Sequence, residues 1–136
     1  MTSIAVEIVT DASPEMVWDA IRDIGALHTR LVPGFVLNTE LVPEGRRVTF
    51  ANGLVVIEPI ISLNDELRRL AWTVQGTPSG PTHYNAAVQV YPREIGGSRV
   101  VWMADILPDQ AATQIGVMMK HGAAAMSTAF ERLAKA

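Results

Sequence analysis

Ile115, Met118, Met119, Gly122, Met126, Phe130 and Leu133 recur at i, i+3, i+4 and i+7 spacing near the end of a 136-residue chain, which puts them on one face of a single long helix over 108–136. An apolar helix face of that length must be covered. The chain ahead of it is made almost wholly of short alternating segments, so the only cover available is a sheet. A sheet curved around one long helix leaves a hollow between the two, and a hollow suits a ligand.

Ile4, Val6 and Ile8 alternate with Ala5, Glu7 and Val9, which predicts a strand over 3–10 with one buried face. Ser13, Pro14 and Glu15 then open a helix as N-cap, first helical residue and first-turn acid. Val17, Trp18, Ile21 and Ile24 form its stripe, and Gly25 ends it. A second short helical segment is expected over 26–31, before Pro33 and Gly34. Six strands follow, over 35–42, 46–51, 54–63, 69–75, 83–91 and 98–107, separated by turn signals of which Asn52-Gly53 is the strongest. Pro59 inside the third of these six runs calls for an edge position or a bulge.

Alternation assigns the two faces of this meander. One parity collects Phe35, Leu37, Thr39, Leu41, Val48, Phe50, Val55, Ile57, Leu70, Trp72, Val74, Tyr84, Ala86, Val88, Val90, Val101, Met103 and Asp105. The other collects Asn38, Glu40, Arg47, Thr49, Glu58, Arg69, Thr73, Gln75, Asn85 and Gln89, and reads as the wet face. Two residues break the pattern: Trp102 falls with the wet set and Asp105 with the dry one.

The length makes residues 1–136 one domain, large enough to bury a core without staples. Apolar residues make up 49% and charged ones 18%, with a mean hydropathy of +0.20. No run approaches the roughly 18 apolar residues of a spanning helix, and the N-terminus lacks the basic start and apolar stretch of a signal peptide, so no membrane insertion and a cytoplasmic location are expected. The absence of cysteine removes disulfides, thiol nucleophiles and thiolate zinc sites. A net charge of -3 with scattered basic residues argues against nucleic acid as a partner; Arg46-Arg47 and Arg68-Arg69 sit beside turns and read as solvated strand ends. His28, His83 and His121 show no ligand spacing, so no metal is expected. There is no Gly-rich phosphate loop and no Gly-x-Ser-x-Gly elbow, and no cofactor is called for.

Strand, two short helices, six strands and a long helix is an α+β order. With the segments Ser13-Pro14-Glu15-Met16-Val17-Trp18, Arg47-Val48-Thr49-Phe50-Ala51-Asn52-Gly53, Arg68-Arg69-Leu70-Ala71-Trp72, Thr82-His83-Tyr84 and Val101-Trp102-Met103-Ala104-Asp105, it resembles the polyketide cyclase/dehydrase branch of the START-like, helix-grip (SRPBCC) superfamily, over essentially the whole chain. The superfamily also holds pollen-allergen-like proteins and plant abscisic acid receptors. The resemblance implies a seven-stranded antiparallel sheet wrapped around the C-terminal helix, with a cavity closed by the two short helices and the loops. It also implies that the positions of Trp72, Tyr84, Met103 and Asp105 face a ligand. The receptor branch has a lysine near Leu37 for a ligand carboxylate; the apolar residue here argues against an acidic ligand.

Asp105, a carboxyl on the dry parity, is the first candidate for a general acid or base, since an apolar wall raises a carboxyl pKa. Tyr84 could polarise a ligand carbonyl. His28, in the expected lid, would complete the acid and base that an aldol cyclisation with loss of water requires. Leu37, Phe50, Ile57, Trp72, Ala86, Met103, Met118, Met119, Gly122 and Met126 are the expected ligand wall, the methionines adapting to irregular apolar shapes and Gly122 making space. The loop over 76–81 has the composition of a gate. Trp102, Val100 and Ala104, read as outward, could form a homodimer contact. The expected function is binding of a small polyketide-like or aromatic molecule, with cyclisation or dehydration as its enzymatic form. The alternatives are a carrier or sensor of a hydrophobic ligand and a co-chaperone-like interaction domain working through the outer face.

Overall fold

The computed structural model describes residues 1–77 and 80–136. β1 (Thr2–Thr10) leads into α1 (Pro14–Arg22), whose Ser13 cap accepts from the Met16 amide at 3.2 Å, an interaction worth about 1 kcal/mol. A 3-10 turn (Ile24–Ala26) and a π-helical turn (Leu27–Leu31) follow. The meander is β2 (Val36–Val42), β3 (Gly45–Phe50), β4 (Val55–Asn64), β5 (Arg69–Thr73), β6 (His83–Pro92) and β7 (Ser98–Leu107). A 3-10 turn (Asp109–Ala111) leads into α2 (Ala112–Lys135), so the regular helix begins four residues later than the expected start at 108. No helix among the described residues is long and apolar enough to cross a membrane.

The seven strands form one antiparallel sheet in the order β1-β7-β6-β5-β4-β3-β2. Its inner face grips α2, which buries Ile115, Met119, Gly122, Met126, Ala129 and Phe130. Gly122 has a specific reason to be there. A Cβ at that position would lie 2.9 Å and 3.0 Å from two ring carbons of Trp102 and 3.2 Å from Phe35. The glycine costs about 1 kcal/mol of helix propensity and lets the indole of β7 lie against the helix backbone. At the other end of α1, the Asp65 carboxylate accepts from both Trp18 Nε1 and Arg22 Nε at 2.9 Å, pinning α1 to the turn between β4 and β5. The ladder irregularity of β4 lies between Ile60 and Ser62, beside Pro59.

Three strands face differently from the sequence expectation, each for a reason of register. In β7 the inward residues are Val100, Trp102, Ala104 and Ile106, all buried, while Met103 is 47% exposed. Tyr84 pairs with Ile106, Ala86 with Ala104 and Val88 with Trp102, so the buried set of β6 fixes even numbers inward on β7. The contact expected around Trp102, Val100 and Ala104 therefore has no outward surface to use. In β4 the pairs Val48 with Val56 and Arg46 with Glu58 turn Val56 and Glu58 inward and Val55 and Ile57 outward. In β2 a bulge between Val36 and Asn38 resets the alternation: Val36 and Thr39 are buried, and Leu37 and Leu41 are 58% and 67% exposed.

Candidate functional site

Between the sheet and α2 lies a cavity of about 390 Å³. Ile21 of α1, Leu27 and Leu31 of the π-helical turn and Val32 close one side; Phe35, Val36, Phe50, Val56, Leu70, Trp72, Val74, Tyr84, Val88 and Trp102 come from the sheet, and Ile115, Met118 and Met126 from α2. Asn52, Gly80 and Gln114 are the exposed residues of the lining, so the mouth opens between the β3–β4 turn, the loop before β6 and the start of α2. Phe35 and Phe50 meet edge to face in the wall, with ring centroids 5.5 Å apart. The expected gate over 76–81 contributes Thr77, Gly80 and Pro81 to the lining; Pro78 and Ser79 lie outside the described residues.

Among the described residues the charged groups of the lining form one cluster. Arg46 and Glu58 are directly opposite on β3 and β4, with side chains 3% and 8% exposed and Nε 2.8 Å from Oε1. Arg46 Nη1 also donates to the Ile24 carbonyl at 3.4 Å, and the guanidinium carbon lies 5.5 Å from the Trp72 ring centroid, within reach of the ring's negative face. Both charges line the cavity. A buried ion pair is costly to desolvate and is weak evidence for stability. Tyr84 lines the same space, and its phenol pKa is raised, first by burial and second by the charge of Glu58. It is therefore a protonated hydroxyl at neutral pH. Trp102 contributes a wall whose Nε1–H is buried without a hydrogen-bond partner among the described residues.

Of the expected ligand wall, Phe50, Trp72, Met118 and Met126 line the cavity. Ala86 and Met119 are buried in the surrounding core, and Gly122 receives Trp102. Leu37, Ile57 and Met103 lie on the outer face. Of the expected catalytic groups only Tyr84 is at the cavity. Asp105 points outward and accepts from Ser3 Oγ at 2.5 Å, because the β7 register places it opposite Ser3 and Asn85. His28 is half-buried, with Nδ1 3.0 Å from Thr39 Oγ1, and does not line the cavity. Arg46 and Glu58, read from the sequence as wet, are the polar groups that do. The hairpin at Asn52-Gly53 carried the signal: once Val48 and Phe50 face inward, antiparallel pairing across that turn carries Val56 and Glu58 in with them. Among the described residues no three His, Asp or Glu side chains are grouped to hold a metal ion.

A family model described as polyketide cyclase / dehydrase and lipid transport matches residues 1–136. No curated protein matches the sequence. Among solved structures, the chain is similar to the protein XoxI from Bacillus cereus, with a TM-score of 0.84, 23% identity and 96% of each chain covered. It is similar to the Zhui aromatase/cyclase from Streptomyces sp. R1128, with a TM-score of 0.77, 15% identity, and 98% of this chain and 93% of that one covered. A START superfamily protein from Mycobacterium smegmatis gives a TM-score of 0.72 at 16% identity over 97% of both chains.

Proposed function

The chain belongs to the polyketide cyclase/dehydrase and lipid transport family, and from that premise we propose that it holds a small hydrophobic molecule, of polyketide-like or aromatic character, between its sheet and its long helix. One observation carries the reading: an apolar cavity of about 390 Å³ that opens to solvent on one side. That volume falls in the ~300–1,000 Å³ range of small-molecule sites, where an apolar lining supplies affinity and a few polar groups set orientation. Phe35, Phe50 and Trp72 offer flat aromatic surfaces to such a molecule, and Met118 and Met126 offer adaptable ones.

An aromatase/cyclase and a START superfamily protein share this fold, so the scaffold by itself does not separate a catalyst from a carrier. The polar groups favour a carrier or sensor. A dehydrative cyclisation needs a base for a proton α to a carbonyl and an acid for the departing oxygen. Asp105 and His28 do not face the cavity. Tyr84 is a donor at neutral pH, and among the described residues the one carboxylate in the lining, Glu58, is tied to Arg46 through Oε1, which leaves Oε2 as its only free oxygen. The second reading, ring closure, draws on confinement: a cavity that keeps a flexible chain folded promotes the reaction by proximity, with Glu58 Oε2 taking the proton α to a carbonyl and returning it to the alkoxide formed on ring closure, and Arg46 and Tyr84 as donors to the enolate oxygen.

Native mass spectrometry of gently purified protein, followed by release and identification of the bound molecule, tests the binding function. A co-purifying apolar compound, displaced in the variant Met118→Trp, supports it. An empty protein that gains no thermal stability across a panel of hydrophobic ligands refutes it. Turnover of a released polyketide by the wild type, lost in Tyr84→Phe with binding retained, would establish the second reading over the first.

A further inference from the structure

Resting on the ligand-binding reading above, we infer that the molecule held in the cavity is uncharged and presents a paired donor and acceptor, such as an amide or a hydroxyl beside a carbonyl, to Arg46, Glu58 and Tyr84. Arg46 uses Nε on Glu58 and Nη1 on the Ile24 carbonyl, and Glu58 uses Oε1 on Arg46. Among the described residues, Arg46 Nη2, Glu58 Oε2 and the Tyr84 hydroxyl have no hydrogen-bond partner. Among the described residues Trp102 Nε1 is the one fully enclosed side-chain polar atom left without a partner, so none of these three atoms is fully enclosed there. All three residues line the cavity, so these atoms open onto the space a ligand would fill.

The charge count of that polar corner decides the ligand class. Its one cation and one anion cancel, so an incoming carboxylate would give up its hydration for a site with no net positive charge and would meet Glu58 Oε2 as a like charge. A neutral group has no such penalty. The corner presents the Arg46 Nη2 guanidinium donor, the Tyr84 hydroxyl, which donates and accepts, and one carboxylate acceptor, Glu58 Oε2. A ligand group that only accepts leaves Glu58 Oε2 unanswered, and one that only donates leaves Arg46 Nη2 unanswered, each at the cost of a buried unmatched polar atom. A group that does both satisfies all of them. Apart from Asn52, Thr77 and Gln114, the remaining lining is apolar and aromatic, so most of the rest of the molecule is hydrocarbon.

Four naphthalenes of nearly equal shape test this: 2-naphthamide, 2-acetylnaphthalene, 2-isopropylnaphthalene and 2-naphthoate, titrated calorimetrically into the wild type at neutral pH. The amide is expected to bind at least about tenfold tighter than the carboxylate and about fivefold tighter than the ketone. In Glu58→Gln, which leaves the Arg46 charge unbalanced, the order of amide and carboxylate reverses. In the double variant Arg46→Met/Glu58→Leu, the ratio of amide to isopropyl affinity falls about tenfold. Carboxylate binding equal to or tighter than amide binding in the wild type overturns the inference, as does an amide-to-isopropyl ratio unchanged in the double variant. In both cases binding of the isopropyl compound leaves the cavity function standing. Failure of all four to bind removes the cavity function and this inference together.

Discussion

Replacing Glu58 with leucine leaves the guanidinium of Arg46 in the interior with one backbone carbonyl at 3.4 Å and the face of Trp72 as its company. Arginine cannot shed its proton to escape, and with its side chain 3% exposed its only hydration would come through the cavity it lines. Breaking a buried pair from one side costs about 3–5 kcal/mol, against a total stability of about 5–15 kcal/mol for a domain. At this chain length that is a fall in melting temperature of about 10–20 °C. Replacing both partners, as Arg46→Met/Glu58→Leu, removes the stranded charge together with the desolvation cost and returns stability to within about 1–2 kcal/mol of the wild type, or above it. Urea unfolding followed by circular dichroism on the wild type, the two single variants and the double variant closes the cycle. A Glu58→Leu protein within about 1 kcal/mol of the wild type would refute the reasoning, and so would a double variant as unstable as the single.

Two helix glycines should respond in opposite directions: Gly116→Ala, where an added Cβ comes only within 3.9 Å of Ile4, gains about 0.5–1 kcal/mol, whereas Gly122→Ala, whose Cβ would press on Trp102, loses about 1 kcal/mol net. Paired thermal melts check this, and a stabilised Gly122→Ala would refute the packing role. The Asp65 carboxyl is held below its usual range by hydrogen bonds from Arg22 and then Trp18. Its contribution to stability is present above the unfolded value of about 3.9 and is lost as pH falls through the folded one. The urea midpoint of the wild type should therefore drop more between about pH 6 and pH 3 than that of Asp65→Asn; equal drops would show that the clamp carries no linkage. Tyr84 is raised by burial and by Glu58, so the absorbance difference between the wild type and Tyr84→Phe should show no phenolate from Tyr84 up to about pH 11. The stability it contributes is present below the unfolded value of about 10 and lost as pH rises beyond it. Ionisation of both tyrosines at the ordinary pH in the folded protein would refute this.

The helix stripe, the Ser13 cap and the strand spacing were legible because each is a local signal: apolar period, capping chemistry and turn residues all act over a few residues. The side of each strand that faces inward was legible only in β1, β3, β5 and β6, where one parity is plainly wetter. In β7, Val101 and Met103 alternate with Val100 and Ala104, so composition cannot choose a face. Pairing chooses it: Tyr84 with Ile106 on one side and Val6 with Trp102 on the other bring Trp102 in and send Asp105 out. Glu58 misled in the opposite way. A glutamate in a strand ordinarily marks the wet face, and here it is internal because Arg46 stands across from it. That compensation is visible only when both strands are read together.

The register has a consequence for how the chain tolerates changes in length. In β1, β3, β4 up to Ile60 and β5 through β7 the inward residues share even numbers, since the paired positions there sum to an even number, as in Ile4 with Ala104, Val48 with Val56, Ile60 with Trp72 and Ala86 with Ala104. Deleting or inserting one residue within such a strand exchanges cavity wall for outer surface along the rest of it. A strand can absorb an odd residue only by setting it aside, as the sheet does between Val36 and Asn38 and between Ile60 and Ser62. Viable length variants of this protein should therefore carry their changes in the turns, or place a new bulge wherever a strand changes by one.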